Sequence, residues 1–238
     1  MAAIYLVRHG QASFGKADYD QLSDIGCQQA QILGEFWQHY PAPDKFYAGD
    51  LLRHNQTAEH FLSQLTASPT NKRPCSVITH SGLNELDHID VLTRYNPQWQ
   101  NFKAMNDTIA KLPEANKFFQ HEFNQAMTRW LSGKFDSEYR ESWQQFKQRC
   151  ITTLHEIIAQ QSLNEPAKNI IIFTSGGPIS IIIQHILSLE DQQALAICQQ
   201  LINTSVTKVL FSKQHLSIDY INNYSHLTLK GCQWETYR

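Results

Sequence analysis

Paired cysteines are missing from this chain of 238 residues. Cys27, Cys75, Cys150, Cys198 and Cys232 are odd in number, widely scattered and never spaced as C-x-x-C. That pattern argues against a disulfide framework and against a cysteine zinc site, and implies reduced thiols. Charge of one sign is missing too. Twenty Lys and Arg stand against 22 Asp and Glu, a formal net charge of -2, with no long basic run. No nucleic acid and no anionic membrane is therefore expected as a partner, and any specificity for an anion has to come from a local cluster. Long apolar runs are absent as well. The stretch from Ile179 to Leu189 is broken by Gln184 and His185 and falls far short of the ~20 residues of a membrane helix. No basic segment followed by an apolar run opens the chain, so no signal peptide is expected, and the expectation is a soluble, cytoplasmic protein. His39, His60, His121, His155, His185, His215 and His226 fall singly, without H-x-x-x-H or H-E-x-x-H spacing, so neither a metal site nor a cofactor is expected. Repeats and low-complexity tracts are also missing. The sequence leaves the oligomeric state open.

What is present reads as strands alternating with helices. Ile4-Tyr5-Leu6-Val7 is a short apolar run with two β-branched residues, the signature of a buried strand. A helix is predicted over roughly Asp24 to His39, with Ser23 as N-cap, Asp24 at the positive end, and Ile25, Ala30, Leu33 and Trp37 at helical spacing. Lys45 to Ala48 predicts a second strand, Asp50 to Leu65 a helix, and Ser76 to Thr79 a third strand. Between about Asp90 and Leu163 helical spacing takes over, in Phe118, Phe119, Phe123, Met127, Trp130 and Leu131, then in Trp143, Phe146, Cys150, Leu154 and Ile157. Asn169 to Thr174 is apolar enough for a central strand. Ser175-Gly176-Gly177 predicts a tight turn, with Pro178 as first residue of a helix to about Leu187. Val206 to Phe211 and Leu216 to Ile221 flank Ser212-Lys213-Gln214-His215 as an antiparallel hairpin. The expected architecture is a three-layer α/β/α sandwich with a largely parallel central sheet. It forms one domain over residues 1–238, with a helical insertion at about 90–140 that covers the site.

The apolar run of the first strand changes abruptly to Arg8-His9-Gly10. An imidazole beside a guanidinium, with a glycine that admits close backbone approach, suits an anionic ligand such as phosphate. The same residues are equally compatible with a surface Arg–His pair before a turn. A phosphoryl group needs several converging donors. Arg53 lies just past the second strand, and in a parallel sheet that places it at the same strand-end edge. Glu85, in Leu83-Asn84-Glu85-Leu86 after the third strand, is on its own residues an ordinary loop glutamate.

Arg-His-Gly after an N-terminal apolar strand resembles the signature of the histidine phosphatase superfamily, the phosphoglycerate-mutase-like proteins. Leu52-Arg53 followed by Gln56-Thr57-Ala58 is similar to that family's phosphate-gripping segment, and Leu83 to Leu86 to its acid-bearing one. The resemblance implies His9 as the nucleophile that takes up the phosphoryl group, Arg8 and Arg53 as phosphate ligands, and Glu85 as the acid that protonates the leaving oxygen. It also implies a second histidine at the end of the last core strand. There the sequence departs, with Ser175 in its place ahead of Gly176 and a helix start whose N–H groups favour an anion. Ser175 and Gly176 are thus expected to bind phosphate as neutral donors, with His54, His80 and His88 as candidates to reach in from other loops. Ala12 and Gly15 replace residues that relatives commonly carry as Ser or Thr and as Asn. Glu141-Ser142 reads as the start of a helix. The expected function is a phosphomonoesterase acting through a phosphohistidine on a small phosphorylated molecule. The alternative is a phospho-ligand binding protein with weakened catalysis, and a phosphoglycerate mutase ranks last.

Overall fold

Strand β1 (Ala2–Arg8) sends alternate side chains to opposite faces, and both faces are covered. The computed structural model describes residues 2–13, 20–65, 76–99, 105, 108–109, 114–161, 167–212 and 215–237. Its contacts fall into two compact units, Met1–Glu85 with Cys150–Arg238, and Leu86–Arg149.

In the first unit, β2 (Lys45–Ala48), β3 (Val77–Thr79), β4 (Asn169–Thr174), β5 (Val206–Phe211) and β6 (Leu216–Asn223) join β1 in one sheet of order β3-β2-β4-β1-β5-β6. The pairs β3/β2, β2/β4 and β4/β1 are parallel, whereas β1/β5 and β5/β6 are antiparallel. On one face Ala3, Tyr5, Val7, Phe46, Ile171 and Phe173 pack on α1 (Asp24–Trp37) and α2 (Leu52–Leu65) through Leu33, Trp37, Ala58 and Phe61. The opposite face, Ile4, Leu6, Tyr47, Ile170 and Ile172, meets Leu154, Ile157, Ile179, Ile182 and Ile183. The period of two in β1 and β4 thus sorts the core into two halves, and the mostly parallel α/β/α arrangement follows.

The second unit is helical. It contains α3 (His88–Tyr95), α4 (Ala115–Leu131) and the first turns of α5 (Trp143–Ala159). Asp87 caps α3 through Asp90 N at 3.0 Å, while buried Asp90 accepts from Arg140 N at 2.8 Å and from Arg94 Nε at 3.2 Å. Trp130, Trp143 and Phe146 pack edge-on or tilted, with Trp130 Nε1 donating to Glu141 O at 2.9 Å. Ser142 and Gln145 exchange bonds reciprocally, Ser142 N to Gln145 Oε1 at 2.8 Å and Gln145 N to Ser142 Oγ at 3.3 Å. The Glu141-Ser142 stretch is therefore the helix start read from the sequence, built as a capping box.

Local departures have local causes. Gly176 and Gly177 do not form a turn. Helix α6 (Gly176–Leu187) begins with them, and Pro178 is its third residue. Its missing N–H is harmless there, because the first four N–H groups of a helix have no internal partner. Helix α1 ends at Trp37, short of His39. Helices α7 (Asp191–Gln200) and α8 (Ser225–Thr228) follow polar stretches that carry little apolar periodicity. Cys75, Gly15, Lys213 and Gln214 lie outside the described residues.

Candidate active site

The parallel strands β1, β2 and β4 end together, with Arg8 in register with Thr174 and Ala48 with Phe173. His9 N still donates to Thr174 O at 2.8 Å, after which the chain turns away from the sheet. Gly10 permits that turn to lie against α1. A methyl group on Gly10 would sit 2.4 Å from Gly26 O, and one on Gly26 would sit 2.2 Å from Gln11 O. The loop is pinned from α2 as well. Gly10 N donates to Thr57 Oγ1 at 3.0 Å, Thr57 Oγ1 donates to Arg53 O at 2.6 Å, and Leu22 N donates to Gln56 Oε1 at 2.8 Å. Gln56 and Thr57 thus hold the loop that carries His9.

His9 is buried, and its Nδ1 lies 2.7 Å from Gly10 O. Since a carbonyl only accepts, Nδ1 carries the proton and Nε2 the lone pair. Burial, reinforced by the Arg53 and Arg8 guanidinium groups, holds the imidazole well below the usual histidine range. It is uncharged at neutral pH. An uncharged imidazole with its lone pair on Nε2 has the form that nucleophilic attack requires, not that of a cation.

Arg53 is almost fully buried at the start of α2 and forms an ion pair with Asp20, Nη1 to Oδ1 at 2.6 Å. Asp20 Oδ2 also accepts from Leu52 N at 2.8 Å, so this carboxylate stabilises the positive end of α2 as it orients the arginine. Arg8 Nη1 donates to Leu201 O. Glu85 Oε2 accepts from Gly177 N at 3.1 Å, which places the carboxylate on the first turn of α6. Ser175 is fully buried between β4 and α6. Its Oγ lies 2.6 Å from Nε2 of His54, whose ring centroid is 5.7 Å from that of His9. A methyl on Gly176 would lie 3.1 Å from Cys198 Sγ and 3.7 Å from Arg8 Nε, so the α6 N-terminus and Arg8 are neighbours. The ends of β1 and β4, the start of α2 and the loop after β3 thus bring Arg8, His9, Arg53, Glu85, Ser175 and Gly176 to one edge.

The model of the histidine phosphatase superfamily (branch 1) matches this chain over residues 4–114 and 112–224. The chain belongs to the histidine phosphatase superfamily. A comparison with curated proteins returns no match. Among solved structures, the fold is similar to that of phosphoglycerate mutase from Bacillus anthracis, with TM-score 0.64, 16% identity, and coverage of 95% of this chain and 95% of the mutase. It is similar to the alpha-ribazole phosphatase from Shigella flexneri, with TM-score 0.63, 18% identity, and coverage of 93% and 96%. It is also similar to a phosphoserine phosphatase from Entamoeba histolytica in complex with 3-phosphoglyceric acid, with TM-score 0.62, 20% identity, and coverage of 95% and 100%.

Within this family's fold, the sequence motifs gain specific physical meaning. The Gln-Thr of α2 fastens the loop that carries His9, and the Asn84 side chain accepts from Asp50 N at 2.7 Å, tying the loop after β3 to the start of α2. Of the histidines named as candidates, His54 reaches Ser175. His80 is engaged elsewhere, accepting from Gly82 N at 3.0 Å and pairing with Glu156 at 3.1 Å. Sequence reasoning missed Asp20 and Thr57. The first had no local signal, because its partner is thirty-three residues away. The second had one, since a hydroxyl one turn from Arg53 faces the same side of α2.

Proposed function

We propose that this chain is a phosphomonoesterase that works through a phosphohistidine on a small phosphorylated substrate. The observation that carries the reading is His9, buried, uncharged, fixed as the Nδ1–H tautomer by Gly10 O and flanked by two guanidinium groups. Its Nε2 attacks phosphorus as Arg8 and Arg53 bind the phosphoryl oxygens. The bond from phosphorus to the leaving oxygen breaks, and Glu85 gives that oxygen a proton. Water, deprotonated by the Glu85 carboxylate, then attacks phosphorus, breaks the P–N bond and restores His9. Ser175 stands in the position of the family's second histidine, and with the N–H groups at Gly176 it supplies neutral donors in place of a cation. The phosphatases among the structural neighbours support a small phosphorylated substrate.

The test is release of inorganic phosphate from an aryl phosphate at mildly acidic to neutral pH. Wild type is expected to turn over and to trap an acid-labile, alkali-stable phosphoryl label, and His9→Ala to do neither. Turnover that survives in His9→Ala overturns the reading. Phosphate binding without turnover would instead favour a phospho-ligand binding protein, the reading that the neutral side chain of Ser175 supports.

A further inference from the structure

The Ser175 hydroxyl, although at the N-cap position of α6, makes no capping bond to its own helix. Its Oγ is 2.6 Å from His54 Nε2, and both side chains are fully buried. The other nitrogen of His54, Nδ1, is buried without a hydrogen-bond partner. It backs onto Gly49, where an added methyl would lie 2.2 Å away. A position that wanted only volume would take an apolar side chain, because an unmet buried polar atom is costly. The tautomer follows from the same fact. An orphaned buried N–H is rarer than an under-satisfied acceptor, so Nδ1 is the bare nitrogen and Nε2–H donates to Ser175 Oγ. With its lone pair so engaged, the serine turns its own O–H away from His54. Ser175 follows Thr174, whose carbonyl accepts from His9 N at 2.8 Å, and the ring of His54 lies 5.7 Å from that of His9.

We infer that His54 and Ser175 act as one hydrogen-bonding unit in place of the family's second histidine: His54 Nε2–H donates to Ser175 Oγ, and the polarised Ser175 O–H donates to an oxygen of the phosphoryl group on His9. The inference rests on the phosphatase reading above. The imidazole missing from the end of β4 is present one helix away and works through the serine that replaced it. No proton changes owner in this arrangement. Ser175 touches the phosphoryl group, and His54 is a positioning residue. Burial and the Arg53 charge hold His54 well below the usual histidine range, which keeps it a neutral donor.

The experiment is a double-mutant cycle on aryl phosphate turnover, with His9→Ala as reference. Loss of one preorganised donor costs about 10²–10³-fold in turnover. Ser175→Ala and His54→Phe are each expected to lower kcat by about that factor with KM changed by less than about threefold. The double variant should fall no further than Ser175→Ala, and His54→Gln, which keeps an N–H donor, should recover most of the loss. Multiplicative losses, or wild-type kcat in His54→Phe, overturn the pairing. Folding is controlled by a second readout, the ¹⁵N shifts of the His54 ring. They should show the Nε2–H tautomer and move when inorganic phosphate is added to wild type, but not to Ser175→Ala. If wild type shows no turnover, the phosphatase reading fails by itself. The pairing is then judged on phosphate binding, which should weaken at least tenfold in His54→Phe and stay unchanged if the pairing is wrong.

Discussion

Thr57→Val removes one hydroxyl from the interior at almost constant volume. Thr57 is fully buried, and its Oγ1 accepts from Gly10 N and donates to Arg53 O. Valine leaves the Gly10 N–H buried with no acceptor, which costs about 1–3 kcal/mol. For a protein of this size each kcal/mol moves Tm by about 2–4 °C, so a fall of roughly 2–12 °C is expected. The same change frees the Gly10 backbone, whose carbonyl fixes the tautomer of His9. Misplacement by an ångström costs up to ~10²-fold, so kcat should drop by about 10–10²-fold. Thr57→Ser separates hydroxyl from methyl. It should keep kcat within about threefold and lose only ~1 kcal/mol for the missing methyl. Thermal unfolding and steady-state turnover of the two variants decide the matter. A valine variant with wild-type Tm and kcat, or a serine variant as impaired as the valine one, would refute the reasoning.

Three further outcomes are expected. In Asp20→Asn the Arg53 guanidinium loses its carboxylate partner, so inorganic phosphate should inhibit or bind several-fold more tightly; weaker binding would show that Asp20 serves mainly to aim the arginine. Burial lowers the His226 imidazole to about 3, so the folded state binds fewer protons than the unfolded chain between there and the ordinary value near 6.5. The sign follows: stability is full above about pH 6.5 and falls as acid protonates the unfolded chain, by roughly 5 kcal/mol in all at low pH. His226→Gln should flatten that part of the pH dependence of the urea midpoint, and an unchanged slope would exclude the residue as its source. Finally, desolvation and the Glu85 carboxylate push the Cys198 thiol up to about 12, so exposed Cys232 should alkylate at mildly alkaline pH while Cys198 does not, as peptide mapping would show.

The sequence by itself determined the layers and the strand-end edge. The apolar runs of β1 and β4 admit only buried strands, and a strand that stops abruptly at Arg8-His9-Gly10 places polar chemistry at the end of the sheet. Ser175 was legible as the residue at the end of β4, as was the helix start at Ser142. The polar helix α7 was not. Of its residues only Ala194 is buried, so no periodic stripe marks it. Tertiary structure alone decided which groups meet. Asp20 joins Arg53 across thirty-three positions and His54 joins Ser175 across 121, distances over which no local spacing carries information. His54 and His80 were equal on composition, and the turn of α2 against the end of β4 brings His54 to Ser175, whereas His80 pairs with Glu156. Propensity and period fix elements from neighbours in the chain, whereas a hydrogen bond between elements depends on how finished elements pack.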